Sequence, residues 1–257
     1  MCEKFRMAAL TVLSIGLFSA DLPAAETATK IEQNTQSYSV TLGATRVIYN
    51  PGSTGAVLLV TNKNEYPMLV QSKVLAEDKK SAAPFIVTPP LFRLDEHQQS
   101  RLRIVQTGDV PARDRESLQW LCVTGIPPES DDVWAEEAKS KSVKTNTAVM
   151  NIKIKSTNCI KLLIRPSSIK GEMTDAMSSL VWKRTGNKLI LQNESPFYLN
   201  FNSISVGGQN VETISYVAPF ASAMFTLPAA AGAAKDVKWK VITDYGGDSR
   251  EYTAKIN

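Results

Sequence analysis

The sequence predicts an all-β protein of the sandwich type, and three observations carry that prediction. Short β-rich segments recur along the chain and end in Pro, Gly or Asn turns, the spacing expected of a sandwich. One segment far longer than the rest, Thr147–Pro166, alternates in the manner of a single strand. Helical runs with a credible cap are missing throughout.

The first residues stand apart from the fold. Lys4 and Arg6 precede an apolar run from Met7 to Phe18, and the small residues Ala20, Ala24 and Ala25 follow. That is the layout of a secretory signal peptide, and the run is short for a bilayer span. Cleavage is expected between Ala20 and Ala28, with Ala25 favoured, which assigns 1–25 as signal. No later segment is apolar enough for a membrane helix, so the mature chain is expected to be exported and not membrane-embedded. Its formal net charge of +4 survives cleavage, because Glu3 and Asp21 cancel Lys4 and Arg6. A mild excess spread over 257 residues points to neither nucleic acid nor an acidic membrane as the main partner.

Three cysteines are present, and Cys2 leaves with the signal. The remaining pair, Cys122 and Cys159, reads as a disulfide in an exported protein; the alternative is two buried free thiols.

Strands are expected at Ser39–Tyr49, which carries Arg46 and ends at Asn50-Pro51-Gly52, then at Gly55–Asn62, Pro67–Leu75 and Phe85–Thr88. Ser100–Gln106 and Ser117–Gly125 follow, the latter holding Trp120 and Cys122 and stopping at Pro127-Pro128. The loop from Ile126 to Asn146 is long for a compact β domain. One turn of helix is expected within it at Asp131–Ala138, and Lys139, Lys141 and Lys144 read as a solvated tip.

The long strand comes next. Ala148, Met150, Ile152 and Ile154 fall on one face and Asn151, Lys153 and Lys155 on the other. At roughly 3.3 Å per residue the stretch would reach about 60 Å, beyond any ordinary sandwich strand. Its first half is therefore expected to lack an apolar partner in its own domain and to serve as a working surface. After Pro166 the chain restarts as a second, smaller β unit, with strands at Leu180–Lys183, Lys188–Asn193, Tyr198–Val206, Ala223–Leu227, Val237–Thr243 and Tyr252–Ile256. The expected division is 26–166 and 167–257, with Ser167–Lys170 as the junction.

Catalytic chemistry finds little support. The one histidine, His97, sits in a polar loop with no metal cluster or nucleophile around it. No Gly-rich phosphate loop or Ser elbow occurs, and no metal or cofactor is expected. Asn193-Glu194-Ser195 matches a glycosylation sequon by pattern, although Pro196 follows it. Two cations stand out by position: Arg46 precedes Val47-Ile48-Tyr49, and Lys161 interrupts Ile160-Lys161-Leu162-Leu163-Ile164. A charge in such a run needs a partner or solvent access. The ordinary reading is an edge-exposed charge; the sharper one is an anion-binding pair across a cleft.

Several short runs resemble the PapD-like periplasmic chaperones of the chaperone–usher pathway, in register across almost the whole mature chain. They are Ala44-Thr45-Arg46-Val47-Ile48-Tyr49, Arg115-Glu116-Ser117-Leu118, Ile126-Pro127-Pro128, Ile160–Pro166, Asn193–Tyr198 and Asp244-Tyr245-Gly246-Gly247. The long loop with Cys122 and Cys159 looks like the subclass with an extended F-to-G loop, which serves capsule-like and afimbrial fibres. The loop Glu129–Asn146 departs most from the family pattern. The resemblance implies two immunoglobulin-like domains at an angle with a cleft between them. It implies that Arg46 and Lys161 bind the C-terminal carboxylate of a fibre subunit, and that Ala148, Met150, Ile152 and Ile154 fill the groove left by the subunit's missing strand. Glu116, Arg165 and Asp244 match the family's interdomain ionic network. The implied partners are a fimbrial or afimbrial subunit and an outer-membrane usher, and the implied location is the periplasm.

Two other readings remain open at this point. A secreted adhesin or fibre subunit would carry a donor segment at its N-terminus, but Glu26–Ser37 is polar and lacks alternation. A secreted hydrolase would need a catalytic set that the sequence does not offer.

Overall fold

The structure is a computed structural model, and it describes residues 31–109, 112–129, 132, 148–212 and 216–257. The expected signal segment and the helical turn expected at Asp131–Ala138 lie outside the described residues, apart from Asp132. The first ten strands are β1 (Ile31–Tyr38), β2 (Thr41–Leu42), β3 (Arg46–Tyr49), β4 (Ala56–Thr61), β5 (Met68–Leu75), β6 (Phe85–Thr88), β7 (Leu91–Leu94), β8 (Gln99–Gln106), β9 (Ser117–Ile126) and β10 (Ala148–Ile164). They form two sheets. One runs β1-β10-β9-β5-β7, with β3 also on β10, and the other runs β2-β4-β8-β6.

The remaining strands are β11 (Val181–Thr185), β12 (Lys188–Gln192), β13 (Phe201–Val206), β14 (Gln209–Val211), β15 (Ser222–Thr226), β16 (Asp236–Val241) and β17 (Tyr252–Lys255). They make a second sandwich from the sheets β11-β12-β15 and β14-β13-β16-β17. The all-β, sandwich reading of the sequence is borne out. Each sandwich has its own core: Leu58, Val70, Leu102, Ile104, Leu121 and Leu162 in the first, Trp182, Leu189, Phe201, Phe225 and Trp239 in the second. Alternation drives both. In β5, Met68, Val70, Ser72 and Val74 are buried while Gln71 and Lys73 face solvent, the half-buried pattern of an antiparallel strand.

β9 departs from this pattern for a physical reason. Its run Trp120-Leu121-Cys122-Val123 is buried on both faces. Leu121 and Val123 enter the first core, whereas Leu118, Trp120 and Cys122 pack with Leu163 and with Tyr198 of the second sandwich. Cys122 and Cys159 face each other across β9 and β10 and form the expected disulfide, with S–S 2.04 Å and Cα–Cα 4.0 Å.

The N-terminal region corrects one expectation. The single strand expected at Ser39–Tyr49 is divided between β2 and β3, and β1 precedes it as a strand not expected from the sequence. β1 pairs parallel with the first half of β10, from Ile31 against Ala148 to Tyr38 against Lys155. The chain then pairs β2 with β4 in the other sheet and returns as β3 to the second half of β10. So the protruding half of the long strand has a main-chain partner on one edge. Parallel pairing needs only backbone groups, and the β1 residues level with Met150, Ile152 and Ile154 are Gln33, Thr35 and Ser37. The apolar row therefore stays one strand wide. Gly125 permits the crossing, because a Cβ there would lie 2.2 Å from the Tyr38 carbonyl oxygen.

The disulfide closes a sequence separation of 37 residues, worth about 4 kcal/mol in the chain-entropy model. Replacing both cysteines by alanine is expected to lower the unfolding free energy by about that amount, read as a lower urea midpoint. An unchanged midpoint would contradict the assigned role.

Candidate functional site

The two sandwiches meet around Arg165, the last residue before Pro166. Its Nε donates to Glu116 Oε1 at 2.7 Å, and its Nη1 and Nη2 donate to both Asp244 oxygens at 2.6 and 2.9 Å. The second Glu116 oxygen accepts from the Tyr198 backbone N–H at 2.7 Å. Glu116 thus belongs to the first sandwich and is satisfied by the junction and the second. Burial pushes the Glu116 carboxyl above the ordinary glutamate range despite Arg165 and the Tyr198 amide. Burial also disfavours the Arg165 charge, yet the bonds to Asp244 and Glu116 hold it above the ordinary arginine value.

Local turns aim these groups. Asn193 is fully buried; its Nδ2 donates to the Phe197 and Ala218 carbonyls, while its Oδ1 accepts from the Ser195 N–H and hydroxyl. The sequon-like run is therefore a folded turn that presents Tyr198 to Glu116, with no free amide for modification. Opposite it, Gly246 has φ +83° and lies where a Cβ would stand 2.5 Å from Thr45 Oγ1, so the Asp244 turn closes on the first sandwich only with glycine there.

Arg46 and Lys161 are register partners on the parallel strands β3 and β10, and Trp120 is the partner of Lys161 on β9. The three form a row across the sheet face that meets the second sandwich. Arg46 is 7% exposed. Its Nη1 donates to the Ile242 carbonyl of the second sandwich at 3.1 Å, while its Nε is buried without a partner. Lys161 is half-buried and makes no hydrogen bond or ion pair among the described residues; its Nζ stands 5.3 Å from the Trp120 ring and 5.8 Å from the Tyr216 ring. Burial pushes the Lys161 amine below its ordinary value, and the charges of Arg46 and Lys79 push it the same way. For Arg46, burial lowers the guanidinium against the opposing pull of Asp244 and Glu116. The geometry is a cationic recess holding an unsatisfied donor and an amine without a counterion, a fit for an anion.

The second feature is the free half of β10. Val149, Met150 and Ile154 are 55%, 54% and 46% exposed, and Ile152 is partly covered. Ala148 lies at the start of this half, with its side chain outside the described set. Pairing with β9 begins only at Ser156, so among the described residues the edge of 148–155 away from β1 has no partner. Even positions keep one face along an unbroken strand. The row 150, 152, 154 therefore continues the face of Ile160, Leu162 and Ile164, which enter the first core.

Sequence reasoning missed four contributors: Glu77, Lys79, Tyr198 and Tyr216. Tyr198 and Tyr216 hydroxyls both donate to Glu77 Oε1, at 3.3 and 3.0 Å. The partners lie more than a hundred residues apart, and no local pattern marks them. His97 pairs with Glu65 at 3.0 Å on the exposed surface, and no group of metal-ligating side chains occurs among the described residues. Nor is any helix of the described residues long and apolar enough to cross a membrane.

A two-sandwich chain with a cationic recess and an exposed aliphatic strand edge defines the class of assembly chaperones, and comparison with known proteins identifies the family. Residues 39–170 match the pili and flagellar-assembly chaperone PapD N-terminal domain, and residues 175–253 match the pili assembly chaperone PapD C-terminal domain. The chain is 44% identical to chaperone protein AggD of Escherichia coli over 96% of its length and 97% of that protein. The crystal structure of the E. coli chaperone DraB superposes with a TM-score of 0.75 at 49% identity, covering 88% of this chain and all of that one. The SafB chaperone of Salmonella enterica, solved in complex with the SafA pilin, gives a TM-score of 0.75 at 44% identity over 87% of this chain and 99% of that one. The chain belongs to the PapD-like family of pilus-assembly chaperones. Its function is that of an assembly chaperone, neither an enzyme nor a fibre subunit.

Removing Arg165 tests the interdomain network. Arg165→Met leaves the Glu116 carboxylate buried without its cation, which is expected to cost about 3–5 kcal/mol in chemical denaturation. Adding Glu116→Gln is expected to recover part of the loss. A single variant as stable as wild type would contradict the pairing.

Proposed function

We propose that this chaperone works in the periplasm, captures fimbrial or afimbrial fibre subunits by donor-strand complementation, and delivers them to an outer-membrane usher. The single observation that carries the reading is the exposed aliphatic row of β10, which continues the face of the first core. A subunit lacking one strand exposes its own core and an open edge, and would aggregate. The free edge of residues 148–155 supplies main-chain hydrogen bonds, while Ala148, Met150, Ile152 and Ile154 enter the subunit groove. Burying the larger side chains contributes roughly 1.5–3 kcal/mol each before association costs. The division of the chain falls after Pro166, which places Arg165 at the junction.

Arg46 and Lys161 anchor the subunit's C-terminal carboxylate. One fixed end sets the register of the added strand, and register decides which side chains face the groove. Lys161 is the freer of the two, since Arg46 already ties the sandwiches together through Ile242. Lys161→Ala therefore tests the anchor cleanly, whereas Arg46→Ala also loosens the interface. Glu116, Arg165 and Asp244 set the angle at which the recess opens. The SafB structure, which holds the SafA pilin, supports subunit capture as the common task.

Ile152→Asp and Ile154→Asp are expected to leave thermal unfolding unchanged and to abolish co-purification of subunit from periplasm, because a carboxylate in an apolar groove is desolvated without a partner. Wild-type recovery of subunit by both variants would contradict the donor face. For the anchor, a peptide copying the last strand of the co-purified subunit is compared as free acid and as amide. The acid is expected to bind more tightly by about tenfold or more, the worth of a charged hydrogen bond, and Lys161→Ala should erase the difference.

A pH dependence follows from the lowered Lys161 amine. The affinity of the acid peptide is present while Lys161 is protonated and is lost as pH rises through a value below the ordinary 10.5. The facing groups are Arg46, Lys79 and Tyr216. Burial holds the Tyr198 and Tyr216 hydroxyls above their ordinary 10.0, and hydrogen bonds to Glu77 act in the same direction, so both stay neutral as Lys161 titrates. Titration calorimetry should show proton uptake on binding the acid in that window and none with the amide. Equal uptake by both peptides would contradict the anchor.

A further inference from the structure

The turn between β5 and β6 reaches over the recess and is held more firmly than a surface loop requires. The Ala76 N–H donates to the Ser81 carbonyl at 2.8 Å and the Lys79 N–H to the Ala76 carbonyl at 2.9 Å. Asp78 accepts from the Lys80 and Ser81 amides and from the Ser81 hydroxyl. Within it Lys79 adopts φ +59°, a left-handed conformation uncommon for a non-glycine residue. Three further bonds, all through Glu77, fix the turn to its surroundings. Its carbonyl accepts from Trp120 Nε1 at 3.2 Å, and its carboxylate accepts from Tyr198 and Tyr216 of the second sandwich.

The result is the placement of Lys79. Its Nζ stands 3.9 Å from the centre of the Trp120 ring, the same ring that Lys161 approaches at 5.3 Å. Neither amine makes an ion pair among the described residues. The carboxylates nearby are committed elsewhere, Glu116 and Asp244 to Arg165 and Glu77 to the two tyrosines. Two ammonium groups on one ring repel each other unless an anion joins them. Lys79 is exposed, but its backbone is set in place by a turn tied to both sandwiches, which aims its side chain at the Trp120 ring.

We propose that Lys79 is a third cation of the carboxylate recess, delivered by the β5–β6 turn, and that Glu77 positions it by tying that turn to Tyr198 and Tyr216. The proposal rests on the carboxylate reading of Arg46 and Lys161 and deepens it. The subunit terminus then meets cations from three elements, β3, β10 and the turn. Because Glu77 also bonds to the second sandwich, docking of the two sandwiches reinforces the placement of the third cation.

The test uses the whole protein with N-acetylglycine as the smallest main-chain carboxylate and N-acetylglycinamide as its uncharged counterpart. Binding is read from the Trp120 indole N–H resonance. Wild type should show a saturable shift with the acid and none with the amide. Lys79→Met should weaken the acid by about two- to fivefold, the range of an exposed ion pair, and Lys79→Arg should restore it. Glu77→Ala should weaken it to a similar extent, with no further loss in the Glu77→Ala/Lys79→Met double variant. If Lys79→Met binds the acid as wild type does while Lys161→Met loses it, the third cation is overturned and the carboxylate reading stands. Should Lys161→Met also bind as wild type, or the amide bind as well as the acid, or wild type show no saturable shift, both fall together.

Discussion

Everything in this protein depends on β10 being one unbroken strand with two environments. Its second half is locked by pairing with β9 and β3, by the disulfide to Cys122 and by Leu162 and Ile164 in the core. Its first half leaves the sandwich and carries the same two faces outward. Since the side-chain period is two, fixing Lys161 in the recess also fixes which face Met150, Ile152 and Ile154 present. The proposed anchor and the proposed donor row thus lie on one continuous strand. The apolar row ends at Ser156 and Asn158, where the Asn158 amide donates to the Val40 carbonyl at 2.9 Å. These polar residues close the protein's own core before the exposed aliphatics begin.

The cleft between the sandwiches is built from charges that would be costly if any were left alone. Glu116 carries a buried carboxylate, and Arg165 with the Tyr198 amide makes that burial tolerable. A buried pair of this kind is weak as a source of net stability, but breaking it is expensive. Its place is at the meeting of the two sandwiches: Arg165 leads directly into Pro166 and binds Glu116 on one side and Asp244 on the other. The cations facing the recess are in the opposite condition, with fewer counter-charges than they need. Stability is concentrated behind the recess and left incomplete inside it.

Much of this was legible in the sequence, and the illegible parts share a cause. Alternation exposed the long strand, Pro and Gly turns separated the short ones, and an even cysteine pair gave the disulfide. Arg46 and Lys161 stood out because charges interrupt apolar runs. β1 did not, since its polar Glu32–Ser37 pairs through backbone groups that any residue supplies. β7 and β14 were missed as strands of only four and three residues. The bond from Arg46 to the Ile242 carbonyl, and the tyrosines on Glu77, join residues far apart in sequence whose types are unremarkable. Asn193 was visible only as a sequon-like pattern, whereas its buried amide organises the turn that serves Glu116.

Hydrogen exchange along β10 tests the central claim most directly. In the free chaperone, the amides of residues 148–155 that point away from β1 should exchange rapidly, and those of residues 156–164 paired with β9 should be protected. In the purified complex with a fibre subunit, both sets should be protected, with an uninterrupted boundary between them. A stable complex in which the outward amides of 148–155 still exchanged as fast as in the free protein would contradict strand addition at β10.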